Sequence, residues 1–191
     1  MKFLTDFADQ AVVLPLVLAV ALVLVCQGWR RGAGAWLVSI GATFSVMLAL
    51  KLIFLGCTPV FGAVDLHSPS GHAAAATVLC GGLGAIYRGR HKVVLACAIL
   101  AGIVIGLTRI GLHEHSGPEV LLGGAIGLAG AMGMVRLAGA PAVLRLRPMV
   151  LTATFVMALF HGRHLNAEIA IHEAATNVDW LPAYCRGSSQ P

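Results

Sequence analysis

Residues 93–124 read VVLACAILAGIVIGLTRIGLHEHSGPEVLLGG. An apolar run from Val93 to Leu107 meets a short polar stretch, Thr108 to Glu119, and a second apolar run opens at Val120. A soluble amphipathic helix returns a polar residue to its surface every turn. Here the polar residues are gathered into one patch between two continuous apolar segments, the pattern of membrane spans joined by a connection. Upstream the pattern recurs, with Lys51 to His72 bounded by runs from Gly34 to Leu50 and from Ala73 to Tyr87. Further apolar runs cover Ala11 to Cys26, Val120 to Val135 and, less continuously, Met149 to Phe160.

The composition agrees. Of 191 residues 58% are apolar and 11% charged, too little charge for an ordinary soluble domain. The expected fold is all-α, a polytopic transmembrane helical bundle with five or six spans. Each apolar run is shorter than the ~20 residues that cross a bilayer core, so the spans must draw in neighbouring polar residues. Asp6 and Asp9 precede the first run and it continues past Ala21, which favours a retained span over a cleaved signal peptide. Cys26, Cys57, Cys80, Cys97 and Cys185 are scattered, without metal-ligand pairing, and most read as small apolar fillers in helices. Gly102 with Gly106 and Gly123 with Gly127 have the spacing of close helix packing.

Charge sets an orientation. Arg30 and Arg31, then Arg88, Arg90 and Lys92, then Arg136, Arg145 and Arg147 occupy every second connection, eight of the thirteen cationic residues. The positive-inside tendency places those loops in the cytoplasm and both polar stretches on the opposite side. This predicts an integral plasma membrane protein, as in a bacterial inner membrane, with its polar stretches facing the periplasm or exterior. The net charge of +5 is accounted for by this distribution and implies no nucleic-acid partner.

Ionisable residues next to spans are costly unless they snorkel, pair or work. Lys51 taken alone reads first as an interface anchor. In Pro69-Ser70-Gly71-His72, Ser70 is a good N-cap and Gly71 permits close backbone approach, so a helix starting near His72 turns free N–H groups toward the loop. Ser116-Gly117-Pro118-Glu119 is a second helix start, with Pro118 near the first position and Glu119 in the first turn. Glu119 is placed to accept a hydrogen bond from one nitrogen of His115, leaving the other the better nucleophile. Arg109 supplies a planar fork suited to phosphate oxygens. Two histidines, a carboxylate, cations and helix-start amides on one side suit phosphoryl transfer.

At these residues the chain resembles the type 2 phosphatidic acid phosphatase family of membrane lipid phosphatases, whose active-site core is shared with vanadium haloperoxidases. The family pattern has Lys, six residues, Arg-Pro; then Pro-Ser-Gly-His; then Ser-Arg, five residues, His, three residues, Asp. This sequence has Lys51, six residues, Thr58-Pro59; Pro69-Ser70-Gly71-His72; and Thr108-Arg109, five residues, His115, three residues, Glu119. Thr108 keeps the hydroxyl and Glu119 the carboxylate, whereas Thr58 removes one cation from the phosphate cradle. His67 and His113 are candidates to compensate.

The resemblance implies that His115 is the nucleophile, Glu119 orients it, and His72 protonates the leaving oxygen and later activates water. It further implies that Lys51, Ser70, Gly71, Arg109 and Thr58 hold phosphate, with no metal and no cofactor. The implied substrate is a lipid phosphate or polyprenyl diphosphate, drawn from the surrounding membrane lipids. Residues 1–160 would form the phosphatase domain, with its core at 51–119, and residues 161–191 a polar or interfacial tail. Two other readings compete: a catalytically inactive lipid-phosphate-binding relative, for which Thr58 speaks, and a metal transporter using His161, His164, Glu168 and His172. An amphipathic interfacial helix is the preferred reading of those last four residues.

Overall fold

The structure is a computed structural model that describes residues 1–57, 66–139, 144–165, 170–171 and 173–174. It is all-helical, and no strand occurs among the described residues. After short helical turns at Lys2–Thr5 and Asp6–Ala8 come α1 (Gln10–Cys26), α2 (Arg30–Gly56), α3 (Gly71–Arg88), α4 (His91–Gly111), α5 (Gly117–Ala138) and α6 (Leu146–Phe160). Three of them, α2, α4 and α5, are long and apolar enough to cross a membrane, and α1, α3 and α6 are apolar but shorter. The chain is a membrane protein. Its apolar runs lengthened as expected by absorbing polar residues, so Lys51 ends up inside α2, His72 in α3, Arg109 in α4 and Glu119 in α5.

Local chemistry sets the boundaries. Asp9 caps α1 by accepting from the Ala11 N–H at 2.8 Å, and Ser70 caps α3 by accepting from Ala73 at 3.4 Å. The α5 start is a capping box, in which Ser116 accepts from the Glu119 N–H and the Glu119 carboxylate accepts from the Ser116 N–H. At the far end of α3, Gly89 takes the left-handed conformation that closes many helices. His113 does the same after α4 at φ 57, although it is not a glycine. It turns the chain sharply into α5.

α3 lies at the centre, packed against α4, α5 and α2, while α1 packs on α2 and α6. Small residues permit this. Ala73, Ala74, Ala75 and Ala76 are all buried, and a Cβ added at Gly123 or Gly127 of α5 would run into the backbone carbonyls of Ser70 and Ala74. A Cβ at Gly106 would strike Val120, and one at Gly102 would lie 2.7 Å from the Thr77 hydroxyl. Both glycine pairs therefore serve packing within the bundle. The fully buried Trp36 donates from Nε1 to the Val17 carbonyl at 2.9 Å, joining α2 to α1 without an unsatisfied N–H. Leu100, Leu107, Leu121, Leu151 and Phe155 point outward, as residues solvated by lipid do.

The helices run up and down, so the two polar stretches meet at one end of the bundle. The basic connections gather at the other, where the Arg31 Nε donates to the Leu137 carbonyl at 3.0 Å and helps finish α5. Gly123→Ala should force α5 away from α3 and cost about 1–3 kcal/mol as overpacking. Gly41→Ala, whose Cβ would meet nothing within 4 Å, should leave the melting temperature in detergent unchanged or higher. Equal melting of both variants would contradict this packing.

Candidate functional site

A carboxylate buried among helix starts needs a donor for each lone pair, and Glu119, 5% exposed, finds four. Its Oε1 accepts from the backbone N–H of His67 at 2.8 Å and of Ser68 at 2.7 Å. Its Oε2 accepts from the Ser116 N–H at 3.2 Å and meets the Nδ1 of His115 at 2.8 Å. The Glu119 backbone carbonyl also accepts from the Ser70 N–H at 3.0 Å. One residue thus joins the His115 helix start to the Pro69-Ser70-Gly71-His72 start, about fifty positions away.

This fixes the state of the imidazole. An ionised carboxylate ringed by N–H donors only accepts, so Nδ1 must carry the hydrogen it shares with Glu119. When the ring is neutral, the lone pair is then on Nε2. The sequence placed Glu119 as the partner of His115 through local spacing, and that contact is present.

Lys51 arrives from α2 and is buried, with its Cε 3.7 Å from where a Cβ on Gly71 would stand. That is ordinary van der Waals distance, so the lysine stem packs beside the α3 start. Lys51, Gly71 and His72 line a cavity of about 330 Å³ with Asp9 and Gln10. Its apolar wall is Leu14, Phe44, Met47 and Leu48, and Leu165 and Ile171 close it from the chain beyond α6. Ser70 is fully buried and acts as the α3 cap.

Arg109 is buried at the end of α4, where its Nη2 pairs with the Glu114 Oε2 at 2.9 Å. Its Nε is buried with no hydrogen-bond partner, a costly state for a guanidinium N–H. Thr108 is spent structurally: its hydroxyl donates to the Ile105 carbonyl at 2.6 Å and accepts from the Thr5 hydroxyl at 3.0 Å. Thr58 lies outside the described residues. His67 reaches the site through its backbone N–H, while His113 is exposed at the turn.

The chain after α6 returns to this end. His164 Nδ1 meets the Asp9 Oδ2 at 3.3 Å, and His161 Nε2 meets the Phe3 carbonyl at 3.1 Å. Glu168 and His172 lie outside the described residues, and among the described residues no group of three or more His, Cys, Asp or Glu could hold a metal. Cys57, one residue past α2, is disulfide-bonded and so is not one of the apolar fillers; Cys26, Cys80 and Cys97 carry free thiols on helices. Sequence reasoning did not single out Glu114, Ser68, Asp9 or Gln10. Glu114 was open to discovery as an acid five positions from Arg109, but the other three carry no local signal.

Compared with known proteins, the chain is similar over 136 residues, at 29% identity, to a Klebsiella pneumoniae protein described as "Uncharacterized 22.5 kDa protein in cps region". The similar stretch covers 68% of this chain and 65% of that protein's own length. No family model matches the sequence, and no solved structure matches the fold.

The longer arm of glutamate is what lets position 119 reach both its own helix start and the His67–Ser68 turn. Glu119→Asp should withdraw from those two N–H groups and lower stability by about 2 kcal/mol. Thermal unfolding in detergent reads the loss, and an unchanged melting temperature would show that the bridge between helix starts is dispensable.

Proposed function

We propose that the chain is a membrane-embedded phosphatase, releasing phosphate from a lipid phosphate monoester or diphosphate through a phosphohistidine on His115. The observation that carries this reading is the Glu119–His115 contact at 2.8 Å, since a hydrogen-bonded Nδ1 leaves Nε2 as the nucleophile. Lys51 and His72 on one cavity, the α3 helix start and the unpaired Arg109 Nε all favour an anionic substrate. The apolar wall of that cavity favours a lipid, whose chain can stay among Leu14, Phe44 and Leu48 while its head meets Lys51.

In the first step the His115 Nε2 lone pair attacks phosphorus, the bond to the leaving oxygen breaks, and His72 gives that oxygen a proton. In the second, water attacks the phosphohistidine while His72 takes its proton. The N–P bond breaks and its electron pair returns to His115. Lys51, Arg109, Thr58 and the Ser70–Gly71 helix start stabilise the equatorial oxygens, whose charge grows toward the trigonal-bipyramidal state.

All six helices cross the bilayer in this reading, with the basic connections in the cytoplasm and the site facing the periplasm or exterior. The disulfide at Cys57, on the site end, is chemistry of an oxidising compartment and supports that orientation. Phosphate release from phosphatidic acid, phosphatidylglycerophosphate and a polyprenyl diphosphate, by the full chain in detergent, tests the proposal. At least one should be hydrolysed; His115→Ala should abolish release, and His72→Ala should slow it by about 10²–10⁴-fold. Release retained by His115→Ala would remove the nucleophile, and no release from any substrate would favour an inactive phosphate-binding relative.

A further inference from the structure

A second cavity lies on the other face of α3. Thr77, two residues beyond Ala75, is turned about 200° from it around the helix, so Ala75 lines the cavity of Lys51 and His72 while Thr77 lines a groove between α4 and α5. That groove is about 540 Å³ and runs beside α5 from Gly117 to Leu128, about 16 Å of helix. Gly102 and Gly124 form its floor, and the exposed Leu107 and Leu121 are its lips. A groove of small residues alone would be an ordinary gap between helices.

Thr77 makes it more than that. Threonines inside helices commonly return their hydroxyl to a carbonyl in the preceding turn. Thr43 does so to Ser39 at 2.8 Å and Thr108 to Ile105 at 2.6 Å. The Thr77 hydroxyl does not: it is 2% exposed, has no hydrogen-bond partner, and points between the floor glycines, 2.7 Å from a Cβ placed on Gly102. A buried hydroxyl without a partner is unfavourable, and an acceptor delivered by an otherwise apolar ligand would satisfy it.

Depth identifies the acceptor. Thr77 is six residues along α3 from Gly71, about 9 Å below the helix start. A bilayer's headgroup layer is roughly 5–8 Å thick on each side of its hydrocarbon core. With the helix start at headgroup level, Thr77 sits where glycerolipids carry their ester carbonyls. A prenyl chain has no such acceptor, and the outward residues of α4 and α5 along the groove are Leu and Ile, which a second copy could not use to reach Thr77.

We propose that this groove binds one acyl chain of an ester-linked bilayer glycerophospholipid, the Thr77 hydroxyl donating to its ester carbonyl. The site is separate from the phosphate site and requires no catalysis. The test is native mass spectrometry of the full chain in mild detergent, offered equal amounts of a diester phosphatidylglycerol and its diether analogue. The wild type should retain the diester about three- to tenfold better, the worth of one hydrogen bond. Thr77→Ser should keep that ratio and the isosteric Thr77→Val should erase it. Gly124→Leu, whose Cβ has 4.0 Å of clearance, should expel both lipids while melting like the wild type. Equal retention of diester and diether by the wild type, or an unchanged ratio in Thr77→Val, would overturn the proposal. So would a lipid-free dimer that Gly124→Leu abolishes.

Discussion

The meeting of the two helix starts depends on the buried carboxylate of Glu119. Glu119 cannot be left without donors at the end of an apolar bundle, because an uncompensated buried charge costs several kcal/mol. Its four partners come from two places, the capping box and His115 of its own helix, and the His67–Ser68 turn that leads into α3. Satisfying the charge therefore draws the α3 and α5 starts together. Gly123 and Gly127 then let the two helices stay in backbone contact below that point. The same bonds that close the fold set the His115 tautomer, so structure and chemistry share one origin.

Much of this was legible in the sequence because it was local. Continuous apolar runs marked the helices, and the boundaries moved only where spans absorbed adjoining polar residues such as Lys51 and Arg109. Ser70 and Ser116 announced their caps by residue type, and the four-residue spacing of His115 and Glu119 announced their contact. What remained hidden was long-range. Nothing near Glu119 in sequence shows that its second oxygen serves N–H groups more than fifty positions earlier. The Arg109–Glu114 pair needs a left-handed residue at His113, where pattern would have asked for glycine. The approach of Leu165 to the Lys51 cavity likewise depends on chain segments brought together by folding.

The two cavities give α3 a double role. One face carries Ala75 and His72 toward a space lined by Lys51, Asp9 and an apolar wall, and the other turns Thr77 toward a groove open to the bilayer. Both are products of the same composition, since only a helix rich in alanine and flanked by glycines can have neighbours close enough to leave shaped gaps. In lipid, where apolar burial does not drive helices together, such close contacts and a few satisfied polar groups carry the specificity of the bundle.

The central proposal is that Glu119 holds His115 as a nucleophile toward phosphorus. It is tested most directly by mixing the full chain with a hydrolysable lipid phosphate, quenching without acid, and sequencing the peptide spanning His115 by mass spectrometry. The account predicts one acid-labile phosphoryl group on His115 in the wild type, and none anywhere on the chain when His115 is replaced by alanine. Phosphate released with no phosphoryl group on His115 at any time, or with the group on another residue, would contradict it.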